Sequence, residues 1–196
     1  GKQFEVGVKW ENTDGTLFAQ ASYFQIEQTG VLSYDPVLNA YQQIGSVDSS
    51  GFEFEARGQI TDNFSLIAAA STLDAEVTQS ARPAEVGKMP ARLPREMASL
   101  WGNYAFDNGL NMAAGVRYIG PSWGNLANTF EVPSATLLDL AIGYDFGAMD
   151  PQFAGLRGQI NVTNLTDEDY VASCASAYAC FVGSERRIIA SIDYSF

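Results

Sequence analysis

Residues 187–196, the last ten of the chain, alternate almost strictly between apolar and polar side chains. Because successive side chains of a β-strand point to opposite faces, this segment predicts a strand with one apolar stripe. The stripe consists of Ile188, Ala190, Ile192, Tyr194 and Phe196, and the other face carries Arg187, Ser191, Asp193 and Ser195 together with Ile189. An apolar face, a polar face and a terminal aromatic are typical of a transmembrane β-barrel strand, which has lipid on one side and water or a plug on the other.

The same two-residue period continues along the whole chain, and helical periodicity is absent over any useful length. We predict about nine strands separated by turn residues. They lie near residues 3–11, 16–32, 40–60, 64–77, 95–107, 110–119, 133–146, 155–162 and 185–196. Several would have about ten residues or more, whereas strands of globular proteins most often have about five or six. The lengths therefore favour a barrel over the core of a soluble β-sandwich.

The connections between these strands alternate in length. Short turns of Asp, Asn and Gly residues are predicted at 12–15, 61–63 and 107–109, with a slightly longer one at 147–154. The other connections, mostly longer, are predicted at 33–39, 78–94, 120–132 and 163–184. Short turns at one rim and long loops at the other are typical of an outer-membrane barrel, whose short turns face the periplasm. Counting back from a periplasmic C-terminus, every short turn falls at the periplasmic rim.

Aromatic residues stand beside the short turns. Trp10, Phe64, Tyr104 and Phe106 are in such positions, and the 138–146 strand ends in two aromatics while Asp139 and Asp145 face the other way. Aromatic rings with an apolar part and a solvated polar part are favoured at a membrane interface. We expect them to form the lower aromatic girdle of a barrel.

Composition narrows the classes of function. The chain has 196 residues and a net charge of −12, with 11 basic residues and no His. So few basic residues argue against nucleic-acid binding. No apolar run approaches the roughly 18 residues of a transmembrane helix, which leaves a soluble all-β protein or a barrel. The missing His removes the commonest general base, and no nucleophile elbow, P-loop or dinucleotide motif occurs, so we expect no enzyme and no cofactor. We interpret residues 167–169 as a solvated acidic run rather than a Ca²⁺ site, and we expect no metal site.

The order of several segments then becomes recognisable. These are Gly51-Phe52-Glu53-Phe54-Glu55-Ala56, Leu73-Asp74-Ala75-Glu76, the stretch 89–101, Gly115-Val116-Arg117-Tyr118-Ile119-Gly120, and Asn161-Val162-Thr163-Asn164-Leu165-Thr166-Asp167-Glu168-Asp169-Tyr170 followed by the cysteine loop and the terminal strand. In this order they resemble the last strands of TonB-dependent siderophore receptors, and among these the ferrichrome-type hydroxamate receptors, which also carry a short cysteine loop before the final strand. The resemblance covers essentially the whole chain.

The resemblance implies that residues 1–196 are the C-terminal part of an antiparallel transmembrane β-barrel, about nine strands of a plugged barrel of about 22. The earlier strands, the N-terminal plug and the TonB-contacting segment are expected upstream of this chain. The implied function is import of an iron-siderophore chelate across the outer membrane of a Gram-negative bacterium, with no catalytic chemistry in the barrel wall. The implied partners are the ferric siderophore, TonB, outer-membrane lipid and the barrel assembly machinery, for which Ile192, Tyr194 and Phe196 of the last strand would be the assembly signal.

Ligand contacts are expected from aromatic and polar groups on the long loops. The candidates are Trp123, Tyr170, Tyr178 and Phe181. Cys174 and Cys180 could form a redox or metal pair, but we expect a structural disulfide that holds an outer loop. One departure concerns Ala175, since related hydroxamate receptors can place an aromatic residue directly after the first loop cysteine.

Two other functions are also compatible with the sequence. One is a passive porin-like channel, which would lack the upstream plug and the TonB-contacting segment. The other is a secreted β-sandwich adhesin or lectin, which would be soluble without detergent.

Overall fold

The computed structural model describes residues 1–196, apart from the side chain of Ala175. The strands are β1 (Lys2–Glu11), β2 (Leu17–Asp35), β3 (Ala40–Thr61), β4 (Phe64–Gln79), β5 (Glu96–Ala105), β6 (Leu110–Ile119), β7 (Ser122–Trp123), β8 (Glu131–Val132), β9 (Ala135–Asp145), β10 (Leu156–Thr163), β11 (Val171–Ser176), β12 (Ala179–Val182) and β13 (Arg187–Tyr194). Three short 3-10 turns lie at Pro83–Glu85, Phe146–Ala148 and Pro151–Phe153. In this described part of the chain, no helix has the length and apolar character needed to cross a membrane.

Nine strands form one antiparallel sheet in the order β1-β2-β3-β4-β5-β6-β9-β10-β13. Each long strand pairs with the next one along the chain, so the sheet is a meander with β1 and β13 at its edges. The pairs β7–β8 and β11–β12 are separate hairpins, inserted in the connections before β9 and before β13. The nine predicted strands are confirmed, with boundaries that shift by a few residues.

The connection predicted at 33–39 lies within that range but is shorter than predicted. β2 continues to Asp35 and β3 begins at Ala40, so the connection is a tight turn. The Asp35 carboxylate accepts the backbone N–H groups of Val37 and Leu38 at 2.8 and 3.2 Å, which closes the hairpin. The four short strands in the other long connections were also not predicted, because two to six paired residues carry too little periodicity to detect.

The strand register separates two faces of the sheet, because residues paired across strands share a face. One row crosses eight strands with apolar residues and glycines, namely Leu17, Gly58, Leu66, Gly102, Ala114, Leu140, Val162 and Ile188. The adjacent row is mostly polar or small, namely Gln59, Ser65, Asn103, Ala113, Ala141, Asn161 and Ile189. We refer to these as the apolar face and the polar face. The predicted stripe of the terminal strand lies on the apolar face, where Ile188, Ala190 and Ile192 pair with residues of β10.

Aromatic rings cluster on the apolar face beside the short turns. The ring pairs Tyr104–Phe106 and Tyr144–Phe146 have centroids 4.6 and 5.2 Å apart, and Tyr194 lies 6.3 Å from Phe196. The strand ends on this side of the sheet are joined by the turns at 12–16, 62–63, 106–109 and 146–155, and we call this side the short-turn rim. The opposite ends of the strands carry segment 80–95 and the β7–β8 and β11–β12 hairpins, and we call that side the loop rim.

Candidate functional site

The polar face carries a partly buried ion pair just below the loop rim. Arg117 on β6 donates from Nε to one Asp139 carboxylate oxygen at 2.5 Å and from Nη2 to the other at 3.1 Å. Asp139 lies on β9, the neighbour of β6, and is 4% exposed. Such bidentate Arg–carboxylate geometry fixes both side chains in direction as well as in distance.

Asp139 also fixes the exit of β10. Its carboxylate accepts the backbone N–H of Asn164 at 2.9 Å, and Leu138 accepts the next N–H, from Leu165, at 2.6 Å. Asn164 has a left-handed backbone, with φ 53°, and is 2% exposed. Asn is among the few residues that tolerate this conformation at modest cost.

The side chain of Asn164 then organises the following loop. Its Nδ2 donates to the carbonyls of Glu168 and Ser184 at 2.9 and 3.1 Å, and its Oδ1 accepts the Glu168 N–H at 2.8 Å. Asp167 accepts the backbone N–H of Arg186 at 2.7 Å. The Asn-Leu-x-Asp motif therefore joins the end of β10 to the start of β13. These contacts are structural, and they also position Tyr170, which immediately precedes β11.

Tyr170 closes the base of that hairpin. Its carbonyl accepts the N–H of Gly183 at 2.7 Å, and its ring lies directly against the Gly183 backbone, where a β-carbon would collide with the ring. Gly183 is therefore needed here for close approach. Tyr170 also lines a recess of about 390 Å³ on the polar face, together with Trp101, Arg117, Asp139, Asn161, Asn164, Ser184 and Arg187. This recess brings one of the four predicted ligand residues next to the Arg117–Asp139 ion pair.

Trp123 lies on the β7–β8 hairpin and is half-buried. The guanidinium of Arg95 lies 5.3 Å from the centre of its ring, and the same guanidinium forms an ion pair with Glu131 at 3.6 Å. Glu131 is the residue paired with Trp123 in the hairpin. The Arg95 guanidinium therefore makes a cation–π contact with the Trp123 ring, and its ion pair with Glu131 fixes the position of that guanidinium.

Tyr178 and Phe181 lie on the exposed β11–β12 hairpin, and Tyr178 is fully exposed at its tip. Cys174 and Cys180 form a disulfide across this hairpin, as predicted. The structure therefore places Tyr170, Tyr178 and Phe181 on one cross-linked element and Trp123 on another. The side chain of Ala175, at which a departure from related receptors is expected from the sequence, lies outside the described residues.

Three loops of this rim are joined by hydrogen bonds. Arg92 donates from its backbone N–H to the carbonyl of Trp123 and from Nε to the carbonyl of Cys174, both at 2.9 Å. Asn128 exchanges two hydrogen bonds with the backbone of Met89, each at 2.9 Å. Segment 80–95 therefore contacts both hairpins and connects them.

Arg117, Asp139 and Arg92 were not predicted from the sequence as parts of this rim. Alternation placed Asp139 on the polar face but gave no partner for it, because pairing across strands depends on register. For Arg92 the sequence contained no signal, since its partner Cys174 is 82 residues away. Among the described residues, no group of three or more His, Cys, Asp or Glu side chains is arranged to hold a metal ion.

Comparison with known proteins finds one matching family and several similar receptors. Residues 1–165 match the family described as TonB dependent receptor-like, beta-barrel. The Ferrioxamine B receptor of Salmonella typhimurium is 36% identical over 200 residues, which cover 100% of this chain and 28% of that protein. The Ferrichrome outer membrane transporter/phage receptor of Escherichia coli K12 is 34% identical over 201 residues, covering 100% and 26%.

A solved structure shows the same fold. The siderophore receptor PiuA from Acinetobacter baumannii superposes with a TM-score of 0.83 at 27% identity, over 98% of this chain and 28% of that one. The chain thus spans little more than a quarter of the length of these relatives. The nine-stranded meander, its two faces and the family match lead to one conclusion: the chain belongs to the TonB-dependent receptor β-barrel family.

Proposed function

We propose that this chain is the C-terminal part, residues 1–196, of the barrel of an outer-membrane receptor that imports a ferric siderophore in a TonB-dependent manner. The earlier strands, a plug and the TonB-contacting segment belong to the rest of that protein. The observation that carries the proposal is the division of the sheet into an apolar and a polar face, with joined loops at one rim. Relatives named for ferrioxamine and ferrichrome support a hydroxamate chelate as the ligand.

The ligand would bind at the loop rim through Trp123, Tyr170, Tyr178 and Phe181. Aromatic surfaces with a few well-placed polar groups suit a bulky chelate, because they provide contact area and orientation together. Binding and gated passage need no bond-making by the protein. We therefore propose that the chain has no catalytic residues and no cofactor, and that the iron chelate is cargo.

The other proposed partners follow from the positions of the apolar face and the terminal strand in the barrel. The apolar face would contact outer-membrane lipid, and Ile192, Tyr194 and Phe196 would be read by the barrel assembly machinery. No nucleic-acid partner is proposed, since the net charge is −12. The β-sandwich alternative is wrong, because the nine long strands form a single sheet of the barrel family.

Uptake of [⁵⁵Fe]ferrioxamine B tests the proposal against the porin-like alternative. The full-length gene is expressed in an iron-starved strain that lacks its own hydroxamate receptors, with and without a functional TonB. We expect saturable uptake that requires both the gene and TonB, and the same assay with [⁵⁵Fe]ferrichrome tests the second chelate. Uptake that is non-saturable and independent of TonB would support a passive channel. No gene-dependent uptake of either chelate would refute the proposal.

The candidate residues are tested in the same cells by replacing Tyr178 or Phe181 with Ala. Each change is expected to raise the concentration of chelate that gives half-maximal uptake. Tyr41→Ala is the matched control, because Tyr41 is an exposed tyrosine near the turn that joins β2 to β3. An equal effect of the control would contradict the assignment.

A further inference from the structure

Arg92 occupies an unusual place in the loop rim, since it contacts two hairpins that are far apart in the sequence. Its backbone N–H binds the carbonyl of Trp123 on β7, and its side chain binds the carbonyl of Cys174 on β11. β11 also packs against β8, so the two hairpins lie side by side with Arg92 between them. One residue thus contacts both of the elements that carry the candidate aromatics.

The backbone of Arg92 is itself constrained. Its φ is 70°, in the left-handed region that L-residues other than Asn, Asp and Gly rarely adopt. This conformation persists only where surrounding contacts fix it, and such residues concentrate at ligand clamps and switches. Here the fixing contacts are the two carbonyls on the neighbouring hairpins.

The side-chain bond has a buried acceptor. Cys174 is buried and belongs to the disulfide, so its carbonyl lies beside the covalent cross-link of the β11–β12 hairpin. Within the described residues, none of the ion pairs involves Arg92. A hydrogen bond from a charged donor is stronger than one between neutral groups. The Cys174 carbonyl is therefore the main partner that orients this guanidinium.

We propose that Arg92 is a positioning residue for chelate capture, which holds the disulfide hairpin against the Trp123 hairpin so that their aromatic side chains act as one surface. The inference rests on the proposed function. It differs from a direct ligand contact, because Arg92 would act through Tyr178 and Phe181 rather than on the chelate. The disulfide keeps the hairpin itself rigid, and Arg92 sets where that rigid element lies.

The test uses the full-length receptor in cells, with [⁵⁵Fe]ferrioxamine B as the probe. Arg92→Met keeps an unbranched side chain and removes every donor. We expect it to raise the half-saturating concentration about tenfold, equivalent to about 1.4 kcal/mol, while the uptake rate at saturation stays within twofold of the wild type. Arg92→Lys keeps one charged donor and should recover part of the loss.

Arg82→Met is the matched control on the same segment. Arg82 forms an ion pair with Glu85 at 2.9 Å and lies 5.0 Å from the centre of the Tyr34 ring. It contacts the β2–β3 hairpin rather than the two aromatic hairpins, so half-saturation should change less than twofold. Immunoblots of the folded receptor at the cell surface check that all variants are assembled equally.

A second background separates positioning from other roles. In a receptor that carries Tyr178→Ala and Phe181→Ala, Arg92→Met should change half-saturation less than twofold, because the groups that it positions are gone. A full tenfold effect in that background would overturn the inference. So would wild-type half-saturation in Arg92→Met alone. If the wild-type receptor takes up neither ferrioxamine B nor ferrichrome, the proposed function fails and the inference fails with it, an outcome that the wild-type arm alone reveals.

Discussion

Replacement of Arg117 by Met should open the loop that follows β10. The change leaves the Asp139 carboxylate buried without its counter-charge, although it keeps the N–H of Asn164 as a donor. The Asn164 N–H would then donate to an Asp139 carboxylate whose orientation is no longer fixed by Arg117. The first effect is therefore expected in the backbone from Asn164 onward, not in the strands.

The magnitude follows from the burial of the two partners. Removing one member of a buried ion pair costs about 3–5 kcal/mol, because the remaining charge stays out of water. The Arg117 side chain is 38% exposed, whereas that of Asp139 is 3% exposed, so the lower end of this range applies. About 3 kcal/mol corresponds to roughly a hundredfold change in an opening equilibrium.

A matched control exists on the same face of the sheet. Arg157 on β10 also pairs with an aspartate on β9, Asp145, at 3.5 Å, but the two side chains are 73% and 41% exposed. Exposed pairs contribute about 0–1 kcal/mol. Arg157→Met should therefore change local opening by no more than about fivefold.

Hydrogen–deuterium exchange of the full-length protein in detergent measures both variants. The informative peptide contains the amides of Asn164 and Leu165, which bond to Asp139 and Leu138. Exchange in this peptide should accelerate roughly a hundredfold in Arg117→Met and far less in Arg157→Met. Equal acceleration in the two variants would refute the reasoning, as would protection that is unchanged in both.

Two further predictions concern the loop rim and the polar face. Replacing Cys174 and Cys180 by Ser should make the β11–β12 hairpin more sensitive to added protease, since closing so short a loop restricts the unfolded segment by roughly 2 kcal/mol; unchanged cleavage rates in the folded receptor would count against this. Gly115→Ala should displace the Trp101 ring, which lies where the new β-carbon would stand, and should shift the tryptophan emission, whereas Gly143→Ala, which has nearly 4 Å of clearance, should not.

The sheet was predictable from the sequence because barrel strands carry a strong local signal. Residues 138–146, for example, have a large apolar residue at every second position, with Asp, Ala and Gly between them, and each strand of the sheet has at least 8 residues in which the two-residue period can be recognised. Turn chemistry fixed the short connections in the same way. The connection at 33–39 is shorter than predicted because residues 33–35 extend β2, so that Asp35 and Asn39 lie at a tight turn at the end of a longer hairpin.

The loop rim was predictable only in part. The disulfide follows from two nearby cysteines, and the candidate aromatics follow from their place in long loops. The contacts of Arg92 and Arg117 do not follow, because their partners are 82 and 22 residues away and the pairing depends on the register of the sheet. Contacts between residues that are so far apart in the chain leave no pattern in the local sequence.

We expect the side chains along each long strand to face lipid and an aqueous interior alternately. Nitroxide labels placed singly at residues 138 and 140–144 of β9 in the full-length protein in bilayers test this alternation most directly. We predict that collision with oxygen is highest at positions 138, 140, 142 and 144, and that collision with a water-soluble nickel complex is highest at 141 and 143. Accessibility without a two-residue period, or with the two reagents exchanged, would contradict the account.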